Sequence, residues 1–321
     1  MINLNSKMFK EASKSHASPN LAVQLLSFAA LFLVIYLAES VVTAAASYVP
    51  LMERLNTQGY LEGEKKLSFS DSIKLSSDVA MSPKVMIPTL IGTIFGTILS
   101  MIYCRFIEMR KLSSMGVRKR RLIRNYVMGL AVGIIMMTSI TMLTVLFGAN
   151  GIKLCTKINV GLILLYLLGF FFQGMSEEFI FRGCLMTSIG GKHSPYLAVA
   201  VSSLAFAAAH AANPGFSVLP MINLTLFGVF AAVYMICFND IWGICAVHSI
   251  WNFSQGNIFG ISVSGSGSTE SIFRTSANSS STILTGGKFG IEGSIFTTLI
   301  LCIGIIAVLL VINKKRPPEL E

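Results

Sequence analysis

"GMSEEFIFRG", residues 174–183, places two glutamates and an arginine within six positions of a segment that otherwise reads as membrane-embedded hydrocarbon. An ionised side chain at the centre of a spanning helix costs roughly 2.5 to 3.5 kcal/mol even on lenient insertion scales, so a charge in such a place points to function. Around it the chain is 53% hydrophobic and 12% charged over 321 residues, with a mean hydropathy of +0.70. Soluble proteins carry about a quarter charged residues. The composition therefore excludes a soluble protein and defines an integral membrane protein.

The rule that a spanning helix needs about 20 mostly apolar residues gives eight candidates, near 21–45, 87–107, 126–148, 159–189, 195–212, 218–238, 241–261 and 293–313. The expected fold class is an all-α integral membrane protein of about eight transmembrane helices. Lys7, Lys10 and Lys14 precede an apolar stretch long enough to span, with no cleavable signal, so the first span is expected to stay as an anchor. Lysine and arginine remain on the cytoplasmic side of short loops. Arg105, Arg110, Lys111, Arg118, Lys119, Arg120, Arg121 and Arg124 follow the second span, and Lys314, Lys315 and Arg316 follow the last. An even number of spans puts these groups and the N-terminus on one side, so both termini are expected in the cytoplasm.

The net charge of +10 is then mostly a signature of topology. The run "RKRRLIRNY" at 118–126 lies directly beside a span, where anionic lipid head groups are its expected contact and nucleic acid is not. The six cysteines, Cys104, Cys155, Cys184, Cys237, Cys245 and Cys302, form no CxxC pair and suggest neither a disulfide frame nor a thiolate metal site. Residues 48–86 and 262–292 read as long outer loops, the second a flexible Ser/Gly-rich excursion. The chain divides into an N-terminal segment with three spans (1–158), a core (159–261), and the outer loop with the last span and basic tail (262–321).

The few polar residues inside the spans are informative. After the opening motif come a turn, "GGKHSP" (190–195), and "YLAVAVSSLAFAAAHA" (196–211), which holds His210. In an antiparallel hairpin, Glu177 and His210 are both about sixteen residues from the turn, so both lie roughly 20 to 25 Å along their helices. In "HSIWN" (248–252), His248 and Asn252 are four apart and share a helix face. Glu178 and Arg182 have the favourable acid-first i, i+4 spacing and are expected to pair. Glu177 points about 100° away, without a local basic partner, and suits a general base. A carboxylate facing an imidazole can deprotonate a water directly or through a metal ion, while His248 and Asn252 could donate to an oxyanion.

At these residues the sequence resembles the CPBP family of intramembrane endopeptidases, also called Abi or CAAX-protease-like. "EEFIFR" matches EExxxR, "FAAAH" at 206–210 matches FxxxH, and "HSIWN" matches HxxxN, in order on successive helices over about residues 159–261. The resemblance implies a helical membrane fold of about eight spans with a site opening towards the cytosol. It also implies peptide-bond hydrolysis in which Glu177 and His210 activate the water, His248 and Asn252 serve as the oxyanion or secondary site, and Glu178 and Arg182 support them. Glu177, His210 and His248 can be drawn either as zinc ligands or as a metal-free water clamp. The implied partners are a peptide or protein substrate and the lipid bilayer.

Two other classes stay open on the residues alone: a transporter using the buried Glu and His as a proton relay, and a non-catalytic protein that keeps the fold to bind a peptide, as in immunity. The absence of paired inverted repeats argues against the first, and intact motifs argue against the second. No eukaryotic targeting pattern is present, which favours a bacterial plasma membrane. Substrate identity and oligomeric state are not legible in the sequence.

Overall fold

A computed structural model of the protein describes residues 4, 6–61, 65–267 and 270–314, which form a bundle of helices. Lys315 and Arg316 of the basic tail lie outside the described residues. A short α1 (Lys7–Ala12) precedes α2 (Leu21–Thr57), α3 (Phe69–Ala80), α4 (Pro83–Gly92), α5 (Ile94–Ile102) and α6 (Leu122–Leu146). Strand β1 (Asn150–Leu154) leads to α7 (Val160–Glu178), which runs through a π-helical stretch, Phe179–Met186, into α8 (Thr187–Lys192). Then come α9 (Pro195–Ala209), α10 (Val218–Phe238), α11 (Trp242–Phe253), β2 (Phe273–Ala277), α12 (Thr282–Thr285) and α13 (Ile295–Lys314).

Among the described residues six helices are long and apolar enough to cross a membrane: Leu21–Thr57, Pro83–Ile107, Leu122–Leu146, Val160–Lys192, Val218–Phe238 and Ile295–Lys314. Their outward faces carry exposed Leu33, Leu37, Val41, Ile123, Leu164, Ile303 and Ile306, a surface suited to lipid rather than water. The other two expected spans are helices of lesser length. The segment near 195–212 stops at Ala209, because Pro214 and the left-handed Gly215 (φ 81°) follow it. At 1.5 Å per residue its 15 residues reach about 22 Å, short of a hydrocarbon core of about 30 Å. The segment near 241–261 is the 12-residue α11 continued by a π turn, Ser254–Ile258.

Both stretches read as outer loops carry structure. Helix α2 continues to Thr57 through Pro50, and its Leu51 and Leu55 pack on Leu75, Val79 and Val85 of α3 and α4. The Ser/Gly-rich stretch carries β2, which pairs antiparallel with β1 from Asn150↔Ala277 to Leu154↔Phe273. What places it is burial and a carboxylate. Phe289 and Ile291 are fully buried, and Glu292 Oε2 accepts from the Ser264 amide (2.7 Å), the Ser264 hydroxyl (2.9 Å) and Gln255 Nε2 (3.3 Å). Composition alone conceals such anchors, since they are single residues in a polar run.

At the opposite end, α1 is tied to the basic loop and to the turn after α8. Arg118 pairs with Glu11 at 3.1 Å, and Lys192 Nζ donates to the Ser13 and Ser15 carbonyls. Below them Glu108 and Arg110 are buried as a pair. Burial pulls the Arg110 pKa down, but the Glu108 carboxylate together with the neighbouring Cys104 and Cys184 outweighs this and leaves it above its ordinary value.

Helix α11 is the axis on which the site is assembled. Asn239, left-handed at φ 51°, ends α10, and Asp240 Oδ1 accepts the amides of Trp242 (2.9 Å) and Gly243 (3.2 Å) to start α11. A Cβ on Gly129 of α6 would meet the Gly243 carbonyl oxygen at 2.1 Å, and one on Gly174 of α7 would meet the Ser249 amide nitrogen at 2.5 Å. Small residues thus let α6 and α7 close on α11 from two sides, as helices pack within membranes.

Candidate active site

The residues of "MSEEFIFR" are brought against α11 by the close approach at Gly174. Glu178, the last residue of α7 proper, and Arg182 in the π-helical stretch pair at 3.1 Å with both side chains fully buried. The expected i, i+4 contact survives the change in helix pitch. The Arg182 guanidinium also stacks 4.4 Å from the centroid of the Phe206 ring, so an aromatic face from α9 shares its charge.

Glu178 does more than neutralise Arg182. Its Oε1 lies 2.7 Å from His248 Nδ1, and since a carboxylate accepts, the ring nitrogen donates. That bond fixes the ring so that Nε2 faces Glu177, 3.6 Å from its Oε2. His248 is therefore held between two glutamates adjacent in sequence. Phe206 and Phe227 pack edge-on against its ring.

Glu177 is positioned from its other side by Gln173, whose Nε2 donates to Glu177 Oε1. Gln173 Oε1 in turn accepts from Asn252 Nδ2 at 2.8 Å. The result is one polar chain, Asn252 to Gln173 to Glu177 to His248 to Glu178 to Arg182, joining α7 and α11. Glu177 Oε2 and Glu178 Oε2 are left without a hydrogen-bond partner among the described residues. Gln173 was not anticipated, although it is the one polar side chain in "LGFFFQG" and stands four residues before Glu177; the same spacing that pairs Glu178 with Arg182 would have marked it.

His210 reaches the site from a third element. It caps the C-terminus of α9, and its Nδ1 lies 2.9 Å from the Phe206 carbonyl oxygen. A carbonyl accepts, so Nδ1 carries the hydrogen and Nε2 is the acceptor of the neutral ring. His210 and Glu177 line the same cavity, of about 230 Å³, together with Glu39, Ser176, Thr93 and a wall of Phe32, Ile35, Ile180 and Phe181. His248 and Asn252 do not line it; they stand behind Glu177. Glu39 was not anticipated either, and its signal is the lone carboxylate of an otherwise apolar first span.

The zinc alternative meets a geometric test here. Among the described residues no group of three or more His, Cys, Asp or Glu side chains is gathered closely enough to hold a metal ion. The Glu178 bond to His248 Nδ1 leaves Nε2 as the ring nitrogen that could ligate beside Glu177, but Glu177, His210 and His248 are not gathered into a three-ligand set as placed.

Fold and site together define a helical integral membrane protein that holds a linked carboxylate–imidazole cluster inside its bundle, open to a cavity. Residues 159–254 match the family described as Type II CAAX prenyl endopeptidase Rce1-like, and the match covers the segment that carries all three motifs of the CPBP, or CAAX-protease-like, family. Helices α1 to α6, the β pair and α13 lie outside the match. Comparison with curated proteins and with solved structures found no match.

Proposed function

We propose that the protein is an intramembrane endopeptidase that hydrolyses a peptide bond by water activated between Glu177 and His210. The observation that carries this reading is the pairing of two acceptors on one cavity. Glu177, with Oε1 held by Gln173 and Oε2 turned towards His248, and His210, with Nδ1 held by the Phe206 carbonyl so that Nε2 is free to accept, stand on one cavity, where a water drawn between them would give a proton to the carboxylate and keep a lone pair for the substrate carbonyl.

Attack on the carbonyl carbon transfers a proton from the water to Glu177. Glu177 returns that proton to the departing amine as the C–N bond breaks, while His248, oriented by Glu178, faces Glu177 with Nε2 from behind the cavity and keeps the carboxylate in place. Glu178 thus acts as the carboxylate that fixes an imidazole tautomer, and Arg182 balances its charge. Asn252 serves by holding Gln173, and its amide is engaged there rather than offered to an oxyanion. No step is routed through a metal.

The substrate class is a peptide or protein cut near the cytosolic side of the membrane, and we place both termini and the basic loop on the cytoplasmic face of a plasma membrane. The test is cleavage of a quenched fluorescent peptide library by the detergent-purified protein, comparing wild type with Glu177→Gln and His210→Ala, each with and without a zinc chelator. Cleavage lost in both variants is the expected result, with chelation without effect. Variants that cleave like wild type would place the reaction elsewhere, and chelator sensitivity would return zinc to the site.

A further inference from the structure

The cavity holds a carboxylate that the water-activating chemistry does not use. Glu39 lies on α2, outside the family match, eighteen residues from the start of a 37-residue helix. It is an ionisable group in the middle of a membrane span, and among the described residues its carboxylate has neither a hydrogen-bond nor an ion-pair partner. Such groups are expensive and are kept for a purpose.

Its placement is specific. A Cβ on Gly96 of α5 would lie 2.1 Å from Ser176 Oγ and 3.2 Å from Glu39 Oε1. The missing side chain at 96 is what allows Glu39 of α2 to come up beside Ser176, the neighbour of Glu177. Two carboxylates, Glu39 and Glu177, therefore face one small cavity that no lysine or arginine lines. Their mutual repulsion, in a poorly screened setting, is relieved by a proton shared between them or by a bound cation, and a lysine or arginine side chain supplies the second. The remaining wall, Phe32, Ile35, Tyr36 and Phe181, suits the methylene stem of a long basic side chain and adds aromatic faces for its head.

We propose that Glu39 forms a cation-recognising subsite, which makes the preferred substrate a peptide with a lysine or arginine close to the scissile bond. The inference rests on the endopeptidase reading for its placement relative to that bond, but the subsite itself is a binding property. Glu39 is a specificity residue, contributed by the first helix to a reaction carried by the matched segment.

The experiment uses full-length protein in nanodiscs and decapeptides in which each position is in turn lysine or norleucine. Binding is read as Kd by fluorescence anisotropy and cleavage as kcat/KM. Wild type should favour lysine over norleucine at one or two positions by about tenfold to a hundredfold, the range of a charge-assisted contact. Glu39→Gln should bring that ratio to about one while norleucine peptides bind as before, which also shows that the variant is folded. Glu39→Lys should shift the preference to glutamate at the same positions. Absence of any lysine preference in wild type, or its persistence in Glu39→Gln, would overturn the subsite. Lysine preference in Kd without cleavage of any peptide would leave the subsite standing and remove the peptidase reading; cleavage without lysine preference would do the reverse.

Discussion

Two buried clusters of arginine and carboxylate stand at different depths of the same helix, and they have been finished differently. At the basic end, Arg110 donates to Glu108, to Ser114 Oγ and Thr187 Oγ1 (both 2.8 Å) and to the carbonyls of Gly183 and Cys184 (3.4 and 3.3 Å). Ser188 donates to the other oxygen of Glu108. In the upper cluster Arg182 makes one hydrogen bond, to Glu178, and its Nε and Nη2 have none among the described residues, like the second oxygens of Glu177 and Glu178. Both arginines are buried. Saturated bonding at Arg110 binds the basic loop to the π-helical stretch and leaves no atom free. The upper cluster keeps acceptors in reserve beside a cavity, an arrangement that stability alone does not favour. On the endopeptidase reading proposed above, the same ingredients serve structure in one place and chemistry in the other.

The sharpest way to break that contrast is at Glu177. Glu177→Gln keeps the shape and removes the base, so peptide cleavage should fall by about a hundredfold to ten-thousandfold. Because no buried ion pair depends on Glu177 alone, the melting temperature in detergent should hold or rise. A fall in melting temperature with activity retained would assign Glu177 to the structural class. For Arg110 the expectation is the opposite. Arg110→Met leaves Glu108 buried without a counter-charge, and should cost about 3 to 5 kcal/mol in denaturant unfolding with turnover per folded molecule unchanged.

Glu178 tests the junction between the two roles, since it both neutralises Arg182 and orients His248. Glu178→Gln can still accept from one partner but offers no charge to either. A hydrogen bond to a charged group is worth about 1.5 to 3 kcal/mol, so kcat should drop by about tenfold to a hundredfold. KM should change little, because Glu178 does not line the cavity. A variant raising KM alone would mean that Glu178 acts on the substrate rather than on His248.

Part of this organisation was legible in the sequence. Charges at 177, 178 and 182 in an apolar segment, with His210 and His248 after them, marked the candidate site because intramembrane polar groups are rare. The pairing of Glu178 with Arg182 followed from helix spacing alone. The contact of Glu178 with His248 is between helices, and depends on how closely α7 approaches α11 at Gly174, a distance that no spacing within one helix encodes. Glu39 was missed for a related reason. A single glutamate in a span has no local partner to mark it, and only the packing of α2 over Gly96 shows that it faces Glu177. The lengths of α9 and α11 were overestimated because hydropathy runs on past Ala209 and Phe253, whereas the helices answer to Pro214 and to the π turn at 254–258.

The smallest effect should come from Asn252, and it discriminates between two uses of one amide. If Asn252 donated directly to a developing oxyanion, truncating it would cost a catalytic contact made only in the transition state, about a hundredfold or more in kcat. As placed, its Nδ2 donates to Gln173 Oε1, two bonds removed from the reacting water. A neutral hydrogen bond contributes about 0.5 to 1.5 kcal/mol, so Asn252→Ala should lower kcat only about twofold to tenfold. The loss should be no larger in the double variant with Gln173→Ala than in the Gln173→Ala variant, because Asn252 acts through Gln173. Additive losses in the double variant would instead give Asn252 its own line to the substrate, and would mean that the amide turns away from Gln173 when a peptide binds.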